Sequence, residues 1–236
     1  MWVYSGGGEA EVTGFFPFLD KTFPGCRFER KTPVIRKPGP KPNKASGQGR
    51  TGKSLIEQIK QELPIALKAE PNKCDLILVF DDLDCRDSKK QKEKILEDEI
   101  SKIPECADIK KFVGFAAPEI EAWIIADWNN SIAKNSEFRG RHERMRWWLS
   151  TKIKVPFDSP ESFSEYDAEK DCCREKLSQA LIDSSVQDEV DRYKARFSKG
   201  THTPLLLMAI DPNEVPKKCP LFRDLYNELN KFCRSS

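Results

Sequence analysis

Leu76-Ile77-Leu78-Val79-Phe80 is a run of five apolar residues, and Asp81, Asp82, Asp84 and Asp87 follow it within seven positions. A run that short and that apolar is the pattern of a strand buried on both faces, as in a parallel sheet. Carboxylates crowded where such a strand ends repel one another unless a cation holds them together. Asp82 and Asp84 are two apart, so both can face one side of the chain. Hard oxygen ligands at this spacing suit Mg²⁺ or Mn²⁺, ions that act chiefly on phosphates. The competing account is a solvated turn in which Asp84 or Asp87 caps the next helix. Asp81 is expected to point the other way.

The elements around this strand alternate. Trp2 to Ser5 is expected as a first short strand running into Gly6-Gly7-Gly8, and Glu9 to Phe23 has helical spacing at Val12, Phe15, Phe16 and Leu19. Pro33 to Arg36 is expected as a second strand. Residues 37–54, dense in Lys, Pro, Gly and Ser, are expected to form a mobile basic loop. Ser54 is placed to cap an amphipathic helix carrying Leu55, Ile56, Ile59 and Leu63. Ser88 to Ile103 predicts a charged helix, Lys111 to Ala117 another strand, and Pro118 the first turn of a further helix through Trp123. Strand–helix alternation over 1–130 implies an α/β core, a mainly parallel sheet flanked by helices. Ligands of such sheets bind beyond the strand ends. The remainder, 131–236, is expected to be a helical C-terminal part, with helices near 140–150, 167–184, 186–197, 202–210 and 220–233.

Composition bounds the function. The chain has 40 basic and 38 acidic residues, so its net charge of +2 does not by itself announce a nucleic-acid binder. No apolar stretch approaches the roughly 18 residues of a membrane span, and the start lacks the features of a signal peptide. A reducing cytoplasm is the expected setting. The eight cysteines are scattered without a CxxC pair, and are expected to be free thiols rather than a metal or disulfide framework.

Several further groups can carry chemistry. Glu119 and Glu121 follow the strand after the aspartate-bearing one, where a carboxylate could complete a metal shell; a simple interaction with a helix N-terminus explains either alone. Gly6, Gly7 and Gly8 permit close approach of a phosphate, and Glu9 could add a carboxylate. Gly47 to Ser54 matches the phosphate-binding pattern GxxxxGK[ST]. The proline-rich run before it lacks a strand, so Arg50, Lys53 and Ser54 are read as part of a basic clamp on a nucleic-acid backbone. Arg139 to Trp148 interleaves cations and aromatics, as single-strand binders do, though tryptophans are more often core. Lys199 could neutralise charge on a metal-bound phosphate. His202 is read as a cap or surface residue.

The order of these motifs resembles the TOPRIM fold of topoisomerases, primases and OLD-type nucleases. It is closest to an uncharacterised bacterial TOPRIM-like family. The resemblance rests on Val3-Tyr4-Ser5-Gly6-Gly7-Gly8, Gly52-Lys53-Ser54, Asp82-Leu83-Asp84 with Asp87, Glu119-Ile120-Glu121-Ala122-Trp123, and the Tyr193, Lys199 and His202 region. It departs at Ser5, where the fold normally has a glutamate. The resemblance implies Mg²⁺- or Mn²⁺-dependent phosphodiester cleavage of nucleic acid, and a companion ABC-type ATPase in defence against phage. On this reading Asp82 and Asp84 hold the metal, with Asp87, Glu119, Glu121 and Glu9 available to its shell. The rival expectations are a catalytically degenerate binding module, marked by Ser5, and an ATP-binding protein using Gly47 to Ser54.

Overall fold

The computed structural model describes residues 1–32, 53–186, 193–194 and 196–235, apart from the side chains at 9–12, 53–54, 97 and 235. It comprises two compact units. One is Met1–Asp81 with Asp87–Phe115; the other is Asp82–Arg86 with Ala116–Ser236. The sequence reading placed this division at residue 130 and kept the acidic turn with the sheet.

The first unit holds β1 (Trp2–Ser5), α1 (Glu9–Thr22), β2 (Glu29–Thr32), α2 (Lys53–Ala69), most of β3 (Leu76–Asp82), α3 (Ser88–Glu93) and most of β4 (Lys110–Ala116). The four strands form a parallel sheet in the order β2-β1-β3-β4. In register, Tyr4 lies beside Val79 and Ser5 beside Phe80. Leu76 to Phe80 are 0–2% exposed, as a strand covered on both faces requires. Phe15 of α1 stacks on Phe80 with ring centroids 3.9 Å apart. Burying such side chains is worth roughly 1.5–3 kcal/mol each, so this strand anchors the unit.

The expected strand at Pro33 to Arg36 lies outside the described residues. Glu29–Thr32 forms β2, although its sequence is polar. An edge strand tolerates charge, and Lys31 places its ammonium 3.9 Å from the Trp2 ring centre. The helix expected from Ser88 narrows to α3, then continues as wide π turns over Lys94–Glu99 and a 3-10 turn at Ile100–Lys102. Ile95 and Ile100 still face inward.

The second unit holds α4 (Glu121–Ala126), α5 (His142–Trp148), a short hairpin of β5 (Tyr166–Asp167) and β6 (Cys172–Cys173), α6 (Leu177–Ser184), α7 (Lys199–Leu207) and α8 (Pro220–Ser235). Phe222, Leu225 and Leu229 form the buried stripe of α8, and Phe222 meets Trp123 edge-on at 4.7 Å. Glu161 accepts the Leu221 and Phe222 N–H groups, capping α8 from a distant loop.

Three expectations need correction here. Pro118 does not open a helix: Ala117-Pro118 is a cis connector, and α4 begins at Glu121. Tertiary bonds hold this connector, because the Pro118 carbonyl accepts the Asp84 N–H at 3.0 Å. The helix expected over 167–184 is confined to α6; its first half is the β5–β6 hairpin. Nor are all the cysteines free: Cys85 is disulfide-bonded to Cys173 across 88 positions, while Cys74, Cys106, Cys172 and Cys219 are free thiols. A bridge that long leaves no local spacing signal, and it ties β6 to the acidic turn. Of the helix expected over 186–197, residues 187–192 and 195 lie outside the described residues. No helix among the described residues is long and apolar enough to cross a membrane.

Candidate functional site

The acidic turn Asp82–Arg86 is stitched to the end of β4 and to the segment after it by backbone bonds. Leu83 N–H donates to the Ala116 carbonyl at 2.8 Å, and Asp84 N–H to that of Pro118. Asp82 Oδ1 accepts the Ile120 N–H at 3.0 Å. One aspartate is thereby fixed beside the two glutamates that flank Ile120.

Glu119 and Glu121 are both buried, a costly state for carboxylates without partners. Glu119 is gripped twice by the start of α6: the Ser178 N–H donates to Oε2 and the Ser178 hydroxyl to Oε1, each at 2.9 Å. Glu121 Oε1 accepts the Thr203 hydroxyl of α7 at 2.8 Å. Lys199, the first residue of α7, extends its ammonium among the three acids. Nζ lies 3.4 Å from Glu119 Oε1, 3.6 Å from Glu121 Oε2 and 3.8 Å from Asp82 Oδ2. The carboxylate side chains are 11%, 6% and 0% exposed for Asp82, Glu119 and Glu121, and that of Lys199 is 29% exposed. These four groups carry two more negative than positive charges in a largely water-excluded place.

Asp84 and Asp87 do not join this cluster. Asp84 Oδ2 faces Arg86 at 3.3 Å, and Arg86 also bonds Asp171 in the β5–β6 loop. Burial pushes the Asp84 carboxyl above the ordinary aspartate range, and the Arg86 and Lys176 cations pull it back. Asp84 and Cys85 both have positive φ, 50° and 62°. Asp87 caps α3, accepting the Lys90 N–H at 2.8 Å. Among the described residues, no three His, Cys, Asp or Glu side chains are drawn together tightly enough to hold a metal ion as they stand.

The glycine turn belongs to the first unit. Gly6 donates to the Phe80 carbonyl at 2.7 Å, and Gly7 has φ 89°, a conformation suited to glycine. Ser5 is buried and its hydroxyl donates to the Gly6 carbonyl. Glu9 begins α1, and its side chain lies outside the described residues. So do Arg50 and the side chains of Lys53 and Ser54, and with them the expected phosphate clamp.

In the basic stretch, Arg141 is buried and donates to the Ser185 and Glu137 carbonyls, a structural use of its charge. Trp147 is 53% exposed, with the Lys152 ammonium 5.6 Å from its ring centre. His202 is buried between Phe138 and Phe197 and accepts the Ser198 N–H at the start of α7.

Sequence reasoning missed Ser178 and Thr203. Neither stands in a motif; the one available signal is chemical, since buried glutamates require donors. A family model described as a domain of unknown function (DUF4276) matches residues 26–230. That span begins after the glycine turn and includes Asp82, Glu119, Glu121, Ser178, Lys199 and Thr203. No curated protein and no solved structure matches the chain.

Proposed function

Starting from a chain that belongs to the DUF4276 family, we propose that it is a divalent-metal-dependent enzyme cleaving phosphodiester bonds in nucleic acid. The observation that carries this reading is the convergence of Asp82, Glu119 and Glu121 on one cation, the Lys199 ammonium. Carboxylates gathered from a strand end and a helix start offer the hard oxygen donors that Mg²⁺ or Mn²⁺ prefers. By donor chemistry Asp82, Glu119 and Glu121 suit such an ion, and they would hold it once drawn closer together than they now stand. When bound, the ion supplies Lewis acidity toward a phosphate oxygen and a water of lowered pKa.

The chain's own groups do the rest. Ser178 and Thr203 orient the two glutamates, and the Ile120 N–H orients Asp82. Lys199 brings positive charge to where a phosphate would gain negative charge. Backbone bonds from Leu83 and Asp84 to Ala116 and Pro118 keep the main chain carrying Asp82 beside that carrying Glu119. Asp84 serves this reading by holding Arg86 rather than by touching the ion.

Nucleic acid as substrate, a companion ABC-type ATPase and a role in phage defence come from the TOPRIM resemblance, and belong to the proposal. So does a cytoplasmic location. The Cys85–Cys173 bridge pulls against that location, since such bonds persist in oxidising compartments. One observation favours a degenerate binding module: Ser5 stands where the TOPRIM glutamate is expected, and serine offers no carboxylate.

The test is the full chain carrying Asp82→Ala with Asp84→Ala, assayed on single- and double-stranded DNA and RNA with Mg²⁺ or Mn²⁺. Loss of metal-dependent cleavage by a variant that still unfolds cooperatively supports the enzyme. Parent-like cutting rejects the assignment, and a parent that binds nucleic acid but never cuts it leaves the binding module.

A further inference from the structure

We propose that Lys199 is an exchangeable counter-ion. Its ammonium props apart the carboxylates that close on a divalent ion, and it must swing out for that ion to enter. This inference rests on the reading that Asp82, Glu119 and Glu121 take such an ion, and it assigns the lysine a regulatory part in that site.

The position of Lys199 is the first sign. It opens α7, where the helix dipole is positive and a cation is disfavoured. That cost is modest, and the three carboxylates oppose it. Yet the ammonium is shared among them and held closely by none. A charge-assisted N–H···O bond is typically about 2.7–2.9 Å. Of these three acids the nearest oxygen, on Glu119, is at 3.4 Å, and those of Glu121 and Asp82, at 3.6 and 3.8 Å, lie beyond hydrogen-bond distance.

The same distances exclude simultaneous occupancy. Mg²⁺ binds oxygen at about 2.0–2.1 Å, so the acids must close in by well over an ångström around a point the ammonium now fills. Two cations at that separation, in a place this dry, repel strongly. The carboxylates would stay aimed when the lysine leaves, because the Ile120 N–H and the Thr203 hydroxyl hold Asp82 and Glu121 by the oxygen not paired with Lys199, and Ser178 holds both oxygens of Glu119.

The lysine also has a way out. Its side chain is 29% exposed, against 11% or less for the acids. Its stem is four flexible methylenes. The backbone beneath it is tied, since the Ser198 N–H donates to His202 Nδ1 at 2.8 Å. The movement is thus a side-chain swing on a fixed helix start. In the absence of a divalent ion the lysine offsets part of the buried charge. In its presence the freed ammonium can meet the phosphate of a substrate.

Calorimetric titration of the full chain with MnCl₂ tests this, comparing the parent with Lys199→Gln and Lys199→Arg. Removing an internal competitor raises the apparent affinity, so Lys199→Gln should bind Mn²⁺ about tenfold more tightly or better. Lys199→Arg, which keeps the charge, should bind no more tightly than the parent. Asp82→Asn, added to Lys199→Gln, should remove the gain. The apo form of Lys199→Gln should melt lower than the parent, and Mn²⁺ should raise its melting point by a larger step. A parent that binds Mn²⁺ alongside a Lys199→Gln variant that binds equally or less well overturns this inference and leaves the metal site intact. Absence of Mn²⁺ binding in every variant overturns both readings. Binding in Lys199→Gln but not in the parent supports the counter-ion role in its strongest form, a lysine that locks the site. Should Lys199→Gln fail to fold, a Lys199→Arg chain that gains Mn²⁺ affinity over the parent overturns the inference by itself.

Discussion

In the unit built on the sheet, the described residues that are buried and polar or charged are Ser5, Thr32 and Asp81; the unit holding Glu119 and Glu121 buries ten. The first unit is organised by apolar strands whose burial is itself the driving force. The second withdraws acids, an arginine, a histidine and several hydroxyls from water, and each requires a partner of fixed geometry. Such networks contribute little net stability compared with a well-packed apolar core. A chain that retains one around three carboxylates is accordingly a candidate for chemistry there, whereas β3 needs no explanation beyond packing.

The contrast can be broken most severely at the centre of the sheet. Leu78→Ala removes a fully buried side chain from β3, and the unfolding free energy from urea titration should fall by about 2–5 kcal/mol. A loss under 1 kcal/mol would mean that the strand is not the anchor described.

The second unit should respond to pH through Glu161. Burial raises its carboxyl from 4.5 to about 7, although the Leu221 and Phe222 N–H groups oppose the rise. The folded state thus prefers the protonated acid. Its stabilising effect is full below about pH 4.5 and is lost as pH rises through about 7. The shift corresponds to an effect on the order of 3 kcal/mol. Glu161→Gln should flatten that part of the stability–pH curve, and an unchanged curve would show that this carboxyl is not the source.

A smaller effect is expected at Ser178. Ser178→Ala removes the hydroxyl bond to Glu119 but keeps the N–H bond, which predicts a loss of about 2 kcal/mol. Metal affinity should weaken roughly 10–100-fold, as for partners that orient ligands. Calorimetry showing parent-like Mn²⁺ affinity would separate this hydroxyl from the site.

The smallest effect sharpens the comparison between two lysines. Lys217 pairs with Glu214 at 2.6 Å, but both are well exposed. Lys217→Ala should change stability by less than about 0.5 kcal/mol in thermal melts, while Lys199→Gln changes both melting and Mn²⁺ binding.

Much of the sheet unit was legible because its signals are local. The unbroken run Leu76 to Phe80 marks a two-face-buried strand, and β1, α1, α2 and β4 fall close to where periodicity and composition put them. The polar edge strand β2 escaped because charge at an edge conceals a strand from any hydrophobic pattern. In the second unit α8 was legible from its single apolar stripe. The β5–β6 hairpin was not, because Cys85, Arg86 and their partners Cys173 and Asp171 lie more than 80 residues apart.

The acids tell the same story. Periodicity lets Asp82 and Asp84 share a side, yet Asp84 turns to Arg86 and Asp87 caps α3, while Glu119 joins Asp82 and Glu121. Sequence by itself determined that a strand buried on both faces ends in carboxylates, since apolar runs and charge act over a few residues. Only the tertiary structure decided which acids meet, that Ser178 and Thr203 hold them and that Lys199 stands between them. Each of those choices is a hydrogen bond or ion pair between distant segments, satisfied only once the chain has folded.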